Sequence, residues 1–328
     1  MNDHDRSSGP TDEEQTRVGP PAFLAPGTAE RQHPHGARFH PSLTYSIPDG
    51  YRPLHLDVYV PERGLAPSPC VIWIHGGAWL FGSRQTPPDH WPEGLVFQSA
   101  IDAGLAVVSI DYRHSREAPF PAQLHDAKAA VRYVRRFAED LGIDPDRIGA
   151  WGESAGGHLA ALLGLVDDPA LEGTEGVTGT SSAVTAVVDF YGVSDVDTMP
   201  SILDSLPAEV LEVLVGAGGI EHADPTTVIL ANSPLPSADA RRLLSPVNHA
   251  HPTPPPFLLV HGDEDTLVPL SQSEQLLTAL LSAGGEADLI PVAGAAHVFE
   301  GTDPAPSIRH AVDFLRSRLT SGTTPTAS

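Results

Sequence analysis

Arg147-Ile148-Gly149-Ala150-Trp151-Gly152-Glu153-Ser154-Ala155-Gly156-Gly157 is the stretch on which the fold turns. Arg147 to Trp151 reads as a short strand, and Ala155 to Leu165 reads as a helix. A serine set on so sharp a strand-to-helix turn is forced outward, and the flanking glycines let the backbone pass without a Cβ clash. The helix N-terminus behind Ser154 also presents the positive end of its dipole to developing negative charge. G-x-S-x-G alone arises often by chance, and a merely structural glycine-rich turn is the competing reading. Between strand and helix, the motif makes Ser154 the candidate nucleophile.

Working outward, the pattern switches repeatedly between short apolar runs and a period of 3.6. Strands are expected at Leu56 to Val60, Val71 to His75, Ala106 to Ile110, Val184 to Phe190, Phe257 to Val260 and Leu289 to Val292. Several are uniformly apolar and rich in Val or Ile, as buried parallel strands are. In Ala122 to Leu141 the residues Leu124, Ala127, Val131, Val134, Phe137 and Leu141 step by three and four onto one helix face, and Gly142 ends the run. Further helices are expected at Ser271 to Ala283 and Ile308 to Leu319. Such alternation predicts an α/β class fold, a mostly parallel sheet covered by helices on both faces.

A second motif, His75-Gly76-Gly77-Ala78-Trp79, follows the apolar run from Val71 directly. Attack on an ester carbonyl creates an oxyanion that needs preorganised N–H donors, and small residues let that oxygen approach the backbone. Gly77 and Ala78, with Gly76 as a further candidate, are expected to supply donors together with Ala155; His75 is read as an anchor for the loop. A plain glycine turn is the alternative.

A serine nucleophile needs a base and the base an orienting acid, which on such a turn follow in the order acid, then histidine. Downstream, the strand from Phe257 runs into His261-Gly262-Asp263-Glu264-Asp265-Thr266-Leu267-Val268-Pro269, where Asp265 is the chosen acid and Asp263 the runner-up. His297 sits in a loop after the last expected strand and is the chosen base. His310 lies within the final helix, and His249 and His251 precede the acid.

The chain has 328 residues, 41% of them hydrophobic, enough for a sizeable core. Its 19 basic and 42 acidic residues give a net charge of −23. A surface that negative repels phosphate backbones and anionic lipid, so neither nucleic acid nor membrane is an expected partner. Cys70 is the single cysteine, which excludes an intrachain disulfide and zinc sites of several cysteines; it is read as a buried, inert thiol. The N-terminus lacks the pattern of a secretory signal and no stretch has the length of a membrane span, so a soluble, cytoplasmic protein is expected.

Residues 1–48, rich in Pro, Gly and charge, are expected to form a mobile or loosely packed arm, with His33, His35 and His40 solvated and no metal bound. The domain proper spans 49–320, and a polar tail follows at 321–328. From about Ser194 to His251 the alternation lapses into irregular, proline-rich chain with short apolar helical pieces such as Val210 to Leu214, read as a cap-like excursion above the sheet.

With these motifs in hand, from Leu56 to Leu319, the chain resembles esterases and lipases of the α/β-hydrolase superfamily. It is most similar to the carboxylesterase and hormone-sensitive-lipase-like group, in the bacterial branch that includes feruloyl-esterase-like enzymes. The segments Asp111-Tyr112-Arg113 and Ala118-Pro119-Phe120-Pro121-Ala122 belong to the resemblance, and the pattern H-G-x-x-D-x-x-V-P favours Asp265 over Asp263. Two departures stand out: Val298 follows the histidine where relatives often carry glycine, and Ala78 stands where many carry a third glycine. The resemblance implies an α/β-hydrolase fold and a Ser154–His297–Asp265 triad acting on a small-molecule ester without cofactor or metal. An amidase, arylformamidase or peptidase would use the same triad, and a non-catalytic binding protein would share the fold.

Overall fold

The apolar run from Val71 forms the axis of the sheet. A computed structural model describes residues 21–27, 31–33, 36–62, 67–85, 87–201, 224–231 and 233–320. Among these, nine strands form one sheet: β1 (Arg31–His33), β2 (Ala37–Ser46), β3 (Leu54–Pro61), β4 (Ser68–Ile74), β5 (Ala106–Ile110), β6 (Ile143–Glu153), β7 (Val187–Phe190), β8 (Phe257–Gly262) and β9 (Ala287–Val292), in the order β1-β2-β3-β5-β4-β6-β7-β8-β9. The pairs from β5 through β4 to β9 are all parallel, whereas β1, β2 and β3 add to the β5 edge antiparallel.

Alternate residues of β4 serve two cores. Cys70, Ile72 and Ile74 face one, with Leu124, Val131 and Leu159; Val71 and Trp73 face the other, with Val96, Trp151, Ile308 and Leu315. The first core is closed by helices α2 (Ala122–Arg136), α4 (Ala155–Leu165) and α7 (Ser271–Ser282), the second by α1 (Leu95–Asp102) and α8 (Ala305–Thr320). Burial on both faces explains why β4 and β5 carry no polar alternation. Cys70 is buried within this packing, which pushes its thiol pKa up.

The strand order reverses at β4. The chain leaves it to one side for β5 and crosses to its other side for β6, with Ile74 paired to Gly152. In open parallel sheets the crevice at the carboxyl ends of strands flanking such a reversal is where ligands bind. Here those ends carry His75-Gly76-Gly77 and Glu153-Ser154, so two distant motifs meet by topology alone.

Some expectations need correction. Strands β1 and β2 fall within the stretch read as a loose arm, and His40, read as solvated, is buried in β2. The signal was hidden because the buried face of β2 includes polar His40, Thr44 and Ser46, and because register shifts after His40 and Thr44 change which residues point inward. Even residues 22–24 are docked: Leu24 N–H donates to Thr44 O at 3.0 Å, and Tyr133 Oη donates to Leu24 O at 2.8 Å. The expected helix from Ala122 to Leu141 is interrupted at Phe137, whose ring packs 5.9 Å from Phe23, and resumes as α3 (Ala138–Leu141) before Gly142 ends it.

Helix α1 was not anticipated; the short helices α5 (Pro225–Leu230) and α6 (Ser237–Leu244) are of the kind expected in the excursion, at residues other than Val210 to Leu214. The latter two belong to the excursion of 194–251, whose residues 202–223, including the piece expected at Val210 to Leu214, lie outside the described residues. So do residues 1–20, the side chains of His33 and His35, and the tail at 321–328.

Candidate active site

Ser154 joins β6 to α4 with φ 54° and ψ −119°, a left-handed conformation that costs a non-glycine residue energy. The turn is held because its neighbours leave no alternative. Ser154 N–H donates to Phe190 O at 2.8 Å. A Cβ on Gly152 would lie 2.1 Å from Gly156 O, and one on Gly156 would lie 2.0 Å from Ile74 O. Both glycines are therefore fixed by close backbone approach, and Ser154 is thrust out, partly exposed, at the end of the strand.

Facing it is the loop after β9. Ser154 Oγ lies 3.0 Å from His297 Nε2, and His297 Nδ1 lies 2.7 Å from Asp265 Oδ2. A carboxylate only accepts, so Nδ1 carries the proton and Nε2 turns a lone pair to the serine. Asp265 in turn accepts the N–H groups of Leu267 and Val268 on Oδ1, each at 2.9 Å. Burial opposes its charge, but hydrogen bonds from His261 and His297 outweigh burial and hold its pKa well below the ordinary carboxylate range. Asp263 is turned elsewhere: its Oδ1 accepts Gly294 N–H at 2.7 Å and so shapes the loop that carries His297. His310 is exposed on α8, and His249 Nε2 bonds to Leu243 O.

The loop after β4 places Gly77, Ala78 and Trp79 in succession at φ 103°, 54° and 57°. Gly77 and Ala78 are partly exposed beside Ser154's strand end, whereas Gly76 and Trp79 are buried. His75 anchors the loop as expected: its Nδ1 donates to Gly76 O at 2.7 Å and its ring stacks on Tyr112 at 4.4 Å. Burial lowers its pKa to about 4, so it stays neutral. Gly76 departs from the expectation. Its N–H donates to Glu153 Oε1 at 2.5 Å, which removes it from the donors available to a substrate. Ala155 opens α4, so its N–H has no acceptor within the helix.

Glu153 was missed. It is a charged residue that ends the apolar run Ile148 to Gly152 of β6, a signal present in the sequence. It is buried beneath the loop after β4, and burial pushes its pKa up to about 7, against the lowering effects of His297 and the Gly76 N–H. Also unforeseen was the support of the histidine loop. Val298, at φ 57°, offers its carbonyl to His90 Nε2 at 2.9 Å and Trp91 Nε1 at 2.8 Å. Phe299 stacks parallel to Trp91, and Tyr191 stands edge-on to His297 at 5.0 Å. No local pattern could have tied residues 90 and 91 to residue 298. Among the described residues no cluster of three or more His, Cys, Asp or Glu side chains is arranged to hold a metal.

The arrangement matches known proteins along most of its length. The model of the BD-FAE family matches residues 56–280. The chain belongs to the BD-FAE family. Its architecture is the α/β-hydrolase fold, with a mostly parallel central sheet between helical layers. As a BD-FAE member it is 31% identical to esterase LipQ of Mycobacterium tuberculosis over 66% of this chain and 47% of that protein. It is 28% identical to a probable isoprenylcysteine alpha-carbonyl methylesterase of Arabidopsis thaliana over 79% of this chain and 52% of that one. The BD-FAE chain thus spans about half the length of these curated relatives. Among solved structures, a truncated carbohydrate esterase from gut microbiota superposes with a TM-score of 0.71 at 30% identity, covering 86% of this chain and 96% of that one. A thermophilic esterase of Thermogutta terrifontis with propionate bound superposes at 0.62 and 27% identity, covering 86% and 94%.

Proposed function

We propose that this BD-FAE protein is a serine esterase that cleaves small carboxylic esters through an acyl-enzyme. The observation that carries the reading is the unbroken line from Ser154 Oγ to His297 Nε2 at 3.0 Å and from His297 Nδ1 to Asp265 Oδ2 at 2.7 Å. His297 takes the Ser154 proton as Oγ attacks the ester carbonyl, and the N–H groups of Gly77, Ala78 and Ala155 receive the oxyanion. The imidazolium then protonates the departing alcohol. Water, deprotonated by the same imidazole, releases the acid and restores the serine. Asp265 keeps Nδ1 protonated throughout and stabilises the imidazolium by its charge. Ester rather than amide cleavage is supported by the esterase names of the relatives above.

A cap over this crevice is the reading of the excursion of 194–251, supported by the 2.7 Å contact of Leu244 O with His158 Nε2 on the helix that follows Ser154. The hydrolase domain then begins before residue 49, since β1 and β2 pair onto β3 in the same sheet, and runs to about 320. A small, neutral ester is the substrate class that a surface of charge −23 tolerates best. No helix among the described residues is long and apolar enough to cross a membrane, in keeping with an enzyme that meets its substrate in water; a cytoplasmic location completes the reading. Turnover of p-nitrophenyl esters of increasing acyl length tests it. Wild type should hydrolyse the short esters, and Ser154→Ala should reduce turnover to background while keeping the wild-type circular dichroism spectrum. Wild-type rates in Ser154→Ala would refute the assignment.

A further inference from the structure

The loop that would receive the oxyanion is strained, and strain persists only where the surroundings over-determine it. Trp79, the last of the three positive-φ residues, shows how this is done. Its carbonyl accepts Ser115 N–H at 2.8 Å and Ser115 Oγ at 3.1 Å. Its indole Nε1 donates to His158 Nδ1 at 3.1 Å, and the two rings meet edge to face at 5.0 Å. His158 Nε2 lies 2.7 Å from Leu244 O, the last residue of α6 in the excursion.

The protonation of this line is fully determined. An indole N–H can only donate, so Nδ1 of His158 must be the acceptor. A carbonyl can only accept, so Nε2 carries the proton. His158 is wholly buried, and burial lowers its pKa to about 4, so the neutral ring is retained at neutral pH. His158 closes the first turn of α4, whose first residue supplies the Ala155 N–H. One neutral imidazole thus ties together the elbow helix, the oxyanion loop and the excursion. Neither serine nor substrate touches it in the chemistry described above.

We infer that His158 is a positioning residue for the oxyanion loop, holding Trp79 through Nδ1 and referencing it to α6 of the excursion through Nε2. The inference rests on the esterase reading. Its consequence is that His158 acts on the transition state, where the Gly77 and Ala78 donors are used, and not on ground-state binding. Displacing a catalytic group by about 1 Å costs on the order of a hundredfold in rate, and losing one oxyanion donor about as much or more.

The test compares wild type with His158→Phe, His158→Gln and Trp79→Phe on a short-chain p-nitrophenyl ester, well below each variant's melting temperature. His158→Phe keeps an edge-to-face ring but neither hydrogen bond and leaves the indole whole; Trp79→Phe removes the donor together with part of the buried indole's volume. His158→Gln can accept from the indole and donate to Leu244 O. In His158→Phe and Trp79→Phe, kcat is expected to fall roughly tenfold to a hundredfold with KM little changed. The double variant should be no worse than the poorer single, because both singles already remove the Trp79–His158 hydrogen bond. His158→Gln should recover most of the lost kcat. Unchanged kcat in folded His158→Phe or Trp79→Phe, with only the melting temperature lowered, would reduce His158 to a packing residue and overturn the inference while leaving the esterase reading intact. A wild type that turns over no ester overturns both.

Discussion

Glu153 gives the most demanding test of how this site is assembled. Burial lifts its pKa from an ordinary 4.5 to about 7, in spite of the Gly76 N–H at 2.5 Å and the nearby His297. At about 1.4 kcal/mol per pKa unit, that rise corresponds to roughly 3 kcal/mol of folding stability linked to one proton. The sign follows from which state holds the proton more tightly. Below pH 4.5 both folded and unfolded chains carry it and the group costs nothing. Between 4.5 and 7 the unfolded chain releases it first, so stability declines as pH rises; above 7 the full cost is present. Glu153→Gln keeps an acceptor for Gly76 N–H but cannot ionise. The stability of the variant relative to wild type should therefore climb by about 3 kcal/mol between pH 4.5 and pH 8. Other buried acids such as Asp189, also raised to about 7, cancel in the difference. Urea unfolding of both proteins at half-unit pH steps measures it. A difference that stays flat across that range would show that Glu153 is not a buried charge, and the account of how the loop after β4 is supported would fail with it. At pH 8 the same variant should turn over ester several-fold more slowly, because the charge that favours the His297 imidazolium is gone.

Two more outcomes follow from the geometry. Asp265→Asn should lower kcat by about four orders of magnitude with little change in fold, since the amide can hold the wrong imidazole tautomer, whereas Asp263→Asn, which faces Gly294, should change kcat by less than about tenfold; steady-state kinetics of the pair distinguishes acid from neighbour. Gly76→Ala should destabilise by about 1–3 kcal/mol, because its Cβ would fall 2.2 Å from Glu153 Oε1, and the penalty should shrink in a Glu153→Ala background when melting curves of the four proteins are compared.

Legibility varied with how local the cause of each feature was. Strands β4 and β5 could be read because burial on both faces makes an unbroken apolar run, and β5 matched its expected bounds of Ala106 to Ile110. Strand β2 could not, because three of its buried residues, His40, Thr44 and Ser46, are polar and its register shifts twice. Helix boundaries moved by a few residues where a tertiary contact intervened, as at Phe137 against Phe23. In the site, the Ser154 elbow and His297 were readable from motif and chain order. Glu153's hold on Gly76 was not, since a charged residue beside a nucleophile looks solvated until the strand is placed inside the sheet.

The amino-acid order alone determined the alternation of strands and helices, the sharp glycine-flanked turn at Ser154 and the identity of the groups able to do acyl transfer, because each is written in residues adjacent along the chain. Only the tertiary structure decided that Asp265 and not Asp263 faces His297, that the Gly76 N–H is already occupied, and that Trp79 leans on His158. Those outcomes depend on ångström-scale distances between residues tens to hundreds of positions apart, set by sheet register and the packing of both cores, and no local pattern records them.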